Sequence, residues 1–109
     1  MPDRVSKQIK LTESEFDAIQ VIASESSFSS LKCFLDDVLT NFIDEQQKIR
    51  RKTEFLLATK SGKYRTIWFD SLVVKTIKIF SEMNDASENA VIFTAVKQRL
   101  NKHIENYND

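Results

Sequence analysis

Lys7-Gln8-Ile9-Lys10-Leu11-Thr12-Glu13-Ser14-Glu15-Phe16 opens as an alternation of polar and apolar side chains and changes to helical spacing after Thr12. A period of two puts Ile9 and Leu11 on one face of a strand and Gln8 and Lys10 on the other. Thr12 can cap a following helix through its side-chain oxygen, and Thr12-x-x-Glu15 is a capping box. Phe16, Ile19, Ile22 and Ala23 then recur at helical spacing, which predicts a first helix of about three turns. Arg65-Thr66-Ile67-Trp68-Phe69-Asp70 has the same pattern 58 positions later, with Asp70 as the cap and Val74, Ile77 and Phe80 as the apolar stripe.

The register of 58 continues without gaps over about 38 residues. Phe28 falls on Ala86, Ser29 on Ser87, Cys33 on Val91, Phe34 on Ile92, Leu35 on Phe93, Val38 on Val96 and Phe42 on Leu100. Ser26-Ser27 and Asn84-Asp85 are polar breaks, so each copy gains a second helix, capped by Ser29 or Ser87. In the first copy this helix is expected to run through Ile49 toward Leu57. The one glycine of the chain lies in Thr59-Lys60-Ser61-Gly62-Lys63, the expected connector between the copies. The expected organisation is a first repeat over 1–58, a connector over 59–63 and a second repeat over 64–109. A lone short strand leaves its backbone groups unpaired and its apolar face wet. Residues 5–11 and 64–70 are therefore expected to pair antiparallel, within one chain or exchanged between two. The resulting ribbon would lie on four helices that share one core.

Composition agrees with a small α+β, mostly helical fold. Across 109 residues there are one Gly and one Pro, too few for the turns of a sandwich or barrel. One cysteine and one histidine leave no internal disulfide and no structural zinc set. No apolar run has the length of a signal peptide or membrane span, so a cytoplasmic protein without membrane contact is expected. No serine–histidine–aspartate arrangement, paired carboxylates or glycine-rich phosphate loop is present, so neither an enzyme, a cofactor nor a small-molecule substrate is expected. Cys33 reads as a core thiol and Asp36-Asp37 as a solvated face.

The net charge is zero, but the charges are segregated. Residues 11–45 set Lys32 against eight acids, whereas residues 46–68 set Lys48, Arg50, Arg51, Lys52, Lys60, Lys63 and Arg65 against Glu54. Positive charge thus flanks the alternating segments, where a polyanion would be met.

Strand, helix, helix in this order, with Gln8-Ile9-Lys10-Leu11-Thr12-Glu13-Ser14-Glu15-Phe16 at its start and Ser29 as the second-helix cap, resembles the ribbon-helix-helix family of the Arc, MetJ and CopG type. The resemblance covers residues 5–46 and 63–104. Two such units in one chain are similar to the tandem TraY-like accessory proteins of conjugative plasmids. The resemblance implies sequence-specific binding of double-stranded DNA by the ribbon, as a transcriptional regulator or a plasmid-transfer accessory factor. Ser27 and Asp85 stand where many family members carry a glycine, and Trp68 lies on the face the family uses to read bases.

An antiparallel ribbon fits the major groove, where outward side chains reach base edges. The expected base readers are Ser6, Gln8, Lys10, Tyr64, Thr66 and Trp68. Gln8 suits adenine, Lys10 suits guanine, and Thr66 suits a base edge or a thymine methyl. Phosphate contacts are expected from Ser29, Ser30 and Ser87 at helix N-termini and from Lys7, Lys48, Arg50, Arg51, Lys52, Lys63 and Arg65. The competing reading is a protein-interaction adaptor or antitoxin-like module. Zero net charge, acidic helices and Trp68 speak for it, and it would take a homodimer or another protein as partner.

Overall fold

The computed structural model describes residues 4–49, 53–58 and 60–107. The two alternating segments are strands, and each leads into two helices: β1 (Arg4–Leu11), α1 (Glu13–Glu25), α2 (Leu31–Lys48), β2 (Lys63–Asp70), α3 (Ser71–Met83) and α4 (Glu88–Tyr107). The fold is α+β and mostly helical, with one two-stranded antiparallel sheet formed within the chain. The register runs from Arg4 opposite Asp70 to Leu11 opposite Lys63. Ile9, Leu11, Ile67 and Phe69 are buried on the inward face, so the ribbon is stabilised by the helices it covers.

The first-helix signals act as read. Thr12 Oγ1 accepts from the Glu15 amide at 3.1 Å, and Glu15 Oε1 accepts from the Thr12 amide at 2.9 Å, completing the capping box. Asp70 caps α3 by accepting from the Leu72 amide at 2.9 Å. Glu15 goes further than local capping. Its second oxygen, Oε2, accepts from Lys97 Nζ of α4 at 2.8 Å, which ties the first helix to the last.

The second helices depart from the expected register. The cap of α2 is Ser30, whose side chain accepts from the Cys33 amide, and not Ser29. The cap of α4 is Ser87, which accepts from the Ala90 amide at 3.0 Å. Five residues, 26–30, join α1 to α2, whereas four, 84–87, join α3 to α4. The shorter turn shifts the correspondence by one position. Phe34 then matches Val91, Leu35 matches Ile92, Leu39 matches Val96 and Ile43 matches Leu100, all buried pairs. Cys33 falls outside this set and is half-buried, so it is no core thiol.

Asp85 explains how the shorter turn closes. It has φ +52°, the left-handed region, and is the one non-glycine residue there among the described residues. The Ala86 amide reaches back to the Ser81 carbonyl at 2.9 Å, the closure of a Schellman motif that usually carries glycine at this place. The longer turn avoids that conformation. Ser26 is extended, with φ −82° and ψ 171°, and its hydroxyl donates to the Ala23 carbonyl at 2.6 Å. We expect Asp85→Gly to raise stability by about 1 kcal/mol, because a Cβ in the left-handed region is removed. Urea denaturation reads this directly, and an unchanged or lowered midpoint would refute it.

The expected continuation of α2 toward Leu57 is also corrected: the helix ends at Lys48, and Ile49 has φ −90° and ψ 130°. Its buried stripe, Leu35, Val38, Leu39, Phe42 and Ile43, has no apolar successor at Gln46 or Gln47, so further turns would bury nothing. Residues 53–58 instead return across the core. Thr53 Oγ1 donates to Gln46 Oε1 at 3.1 Å, the Phe55 ring tilts against Phe80, and the Leu56 amide donates to Thr94 Oγ1 at 2.9 Å. Gly62 then passes close to β1, where a Cβ would lie 3.1 Å from the Leu11 carbonyl carbon.

Phe34, Val38, Phe42, Ile92, Val96 and Leu100 belong to one buried cluster with Ile9, Leu11, Ile67 and Phe69. The Phe42 and Phe80 rings meet edge-on at 6.0 Å. Both strand–helix–helix units therefore share a single core.

Candidate nucleic-acid interface

The ribbon has one face in the core and one in solvent. Alternation puts Arg4, Ser6, Gln8 and Lys10 of β1 on the outward face with Tyr64, Thr66 and Trp68 of β2. The cross-strand neighbours are Ser6 with Trp68, Gln8 with Thr66 and Lys10 with Tyr64. All six expected base readers thus come together on one surface. Ser6, Gln8, Tyr64, Thr66 and Trp68 are exposed, Tyr64 at 66% and Trp68 at 49%. Lys10 is half-buried. Arg4 also lies exposed on this face, one alternation before Ser6, because β1 begins one residue earlier than expected.

The cations expected at phosphates are divided by the same alternation. Lys7 and Arg65 share the parity of Ile9 and Ile67 and so lie on the inward face, at its edges. Lys7 Nζ pairs with Glu88 Oε1 at 3.3 Å, which neutralises the acid at the first turn of α4. The Arg65 guanidinium lies over the Phe16 ring at 4.9 Å, and its Nε is buried without a hydrogen-bond partner among the described residues. Neither projects with the expected base readers. Lys63 is exposed at the start of β2. Lys48 pairs with Asp44 at 3.1 Å on an exposed helix face. Arg50, Arg51 and Lys52 lie outside the described residues.

Of the helix N-termini, α2 presents exposed Ser29 and Ser30 and α4 presents exposed Ser87. Ser30 and Ser87 are spent as caps, while the Ser29 hydroxyl points at Cys33 Sγ, 3.9 Å away. An open cleft of about 190 Å³ runs from Lys10 and Tyr64 on the ribbon to Ser87 and Asn89 at the start of α4, joining the outward edge of the ribbon to a helix N-terminus.

Two side chains differ from their expected roles. Asp36 is not a solvated acid: Oδ1 accepts from the Asp70 amide at 3.0 Å and Oδ2 from Lys32 Nζ at 2.8 Å. It fastens α2 to the end of β2, and its hydrogen bond raises the Lys32 ammonium above its ordinary value. The Cys33 thiol is held below the ordinary range by hydrogen bonding with Ser30 and then Ser29, with the Lys32 charge adding. No sequence spacing could reveal the Asp36–Asp70 contact, which spans 34 positions.

Among the described residues no cluster of three or more histidine, cysteine or carboxylate side chains could hold a metal ion, and no helix is long and apolar enough to cross a membrane. No family model, curated protein or solved structure matches the chain.

Proposed function

We propose that this chain is two ribbon-helix-helix repeats fused in tandem and that it binds double-stranded DNA sequence-specifically through the ribbon in the major groove. It would act in the cytoplasm as a transcriptional regulator or a plasmid-transfer accessory factor. One observation carries the reading: the outward face of an isolated two-stranded ribbon presents Ser6, Gln8, Lys10, Tyr64, Thr66 and Trp68 together, with Ile9, Leu11, Ile67 and Phe69 withdrawn into the core. A ribbon of this kind enters the major groove and reads donors and acceptors there. Gln8 and Thr66 sit side by side near its middle, so two neighbouring base pairs are within reach of one cross-strand pair. The Lys7–Glu88 pair leaves the start of α4 nearly neutral, so its amides can approach a phosphate without repulsion from Glu88.

Selection from a random-sequence DNA pool by electrophoretic shift tests the proposal. Gln8→Ala and Lys10→Ala are each expected to weaken the selected site by about 1–3 kcal/mol, and affinity should fall steeply between low and physiological salt. Absence of any DNA complex at low salt would overturn the reading. A second reading, a protein-interaction adaptor or antitoxin-like module, is favoured by exposed Trp68 and Tyr64 on the same face. Under it, Trp68→Ala abolishes a salt-insensitive protein complex and leaves DNA unaffected.

A further inference from the structure

The fold leaves an apolar stripe on α3 uncovered. Leu72, Ile79 and Met83 are 69%, 57% and 72% exposed, and with Thr76 they recur at spacings of four, three and four. That is the a/d spacing of a coiled-coil seam, narrower than the face a helix turns to its own core. The core-facing residues of α3 are others, Ile77 and Phe80 with Ser81. Thr76 can sit in an apolar seam because its hydroxyl already donates to the Leu72 carbonyl at 3.0 Å. The fold does not itself require this stripe. The corresponding positions of α1 are Ser14, Ala18, Val21 and Glu25, flanked by exposed Glu13 and Asp17.

We propose that α3 is a homodimerisation helix, packing antiparallel against α3 of a second copy. Charge decides both occupant and direction. Lys75 and Glu82 lie seven residues apart on one flank of the stripe, both exposed and neither in an ion pair among the described residues. In an antiparallel pair, flank positions of the same kind face each other. Leu72 then meets the second copy's Met83, Thr76 meets its Ile79, and Lys75 meets its Glu82, each contact occurring twice by the two-fold. A parallel pair would instead stack like residues in register and lose the flank pairing. Because the two-fold contact uses the α3 stripe of both copies, association closes at two copies rather than growing into a filament. A helix of 13 residues gives a contact well below the area of a tight dimer, so the dimer is weak and concentration-dependent. The inference is independent of DNA binding.

Sedimentation velocity over a range of micromolar concentrations, without DNA, is the test. The average mass should rise toward that of two chains and no further. Ile79→Glu, at an exposed site, should keep the circular dichroism spectrum and abolish the rise. Lys75→Glu and Glu82→Lys should each weaken association at least several-fold, and the double variant should restore it. A monomer at all concentrations would overturn the proposal, as would growth beyond two copies, association indifferent to Ile79→Glu, or a double variant no better than the singles.

Discussion

Val38→Asp is expected to unfold the whole chain at neutral pH. Val38 is buried on α2 and shares the walls of a small gap with Ile19 and Ile22 of α1 and Val96 and Leu100 of α4. The one cation lining the gap, Arg99, lies over the Phe34 ring at 5.6 Å; every other neighbour there is apolar, and burying a charge in such surroundings costs several kcal/mol. A domain of this size has a total stability of about 5–15 kcal/mol, so the variant is left marginal or unfolded. Because the cluster holds residues of both strand–helix–helix units, the loss should be common to both. Val38→Ala, which removes two methyl groups without adding charge, should cost about 2 kcal/mol and leave a measurable transition. In that variant, urea unfolding followed by Trp68 fluorescence, a report from β2, should coincide with unfolding followed by far-ultraviolet circular dichroism. Two separated transitions would refute the single core. Acidification should partly rescue Val38→Asp, since protonation removes the buried charge.

Lys97→Met should blunt the acid sensitivity that Glu15 contributes to the protein. Burial alone pushes the Glu15 carboxyl up, but the Lys97 hydrogen bond, the Thr12 hydrogen bonds and the Lys97 charge outweigh it and hold the group below its ordinary value of 4.5. A depressed carboxylate stabilises the fold above the unfolded-state value, and that contribution is lost as pH falls through the folded-state value. With Lys97 replaced, Oε2 loses its partner while Oε1 keeps the Thr12 amide, and burial, already the largest single influence, is opposed by Thr12 alone. The carboxylate then has less to hold it in its charged form at neutral pH. We expect a loss of about 2 kcal/mol there, less than for a fully buried pair because the Lys97 side chain is 36% exposed. The gap to the parent protein should narrow as pH is lowered below 4.5, where the parent loses the Lys97–Glu15 contribution that the variant already lacks. Adding Glu15→Gln to Lys97→Met should flatten the residual dependence. Parallel pH profiles for parent and Lys97→Met would contradict this account.

Much of the fold was written in local sequence. Strand alternation, the Thr12–Glu15 capping box, the Asp70 cap and the stripes of α1 and α3 depend on neighbours within one or two turns, and propensity and capping act at that range. The six outward residues of the candidate site follow from the same alternation, once a core is assumed beneath Ile9, Leu11, Ile67 and Phe69. The same alternation puts Lys7 and Arg65 on the inward parity with Ile9 and Ile67, which a count of charges along the chain does not distinguish. The end of α2 was legible only in part: the apolar stripe stops at Ile43, but Ile49, Leu56 and Leu57 suggested a continuation.

What the tertiary structure alone decided are the contacts between groups distant in sequence. The pairing of Lys97 with Glu15, of Asp36 with the Asp70 amide and of Lys7 with Glu88 joins residues 82, 34 and 81 positions apart. No periodicity encodes such pairs, because each depends on how whole helices are set against the ribbon. The one-residue shift between α2 and α4 has the same origin. A gapless comparison of the chain with itself could not see the shorter turn at Asp85, because amphipathic helices slide past one another by one position with little loss of polarity match. The caps resolve the ambiguity, since Ser30 and Ser87 each accept from the amide three residues on and so mark equivalent starts of α2 and α4.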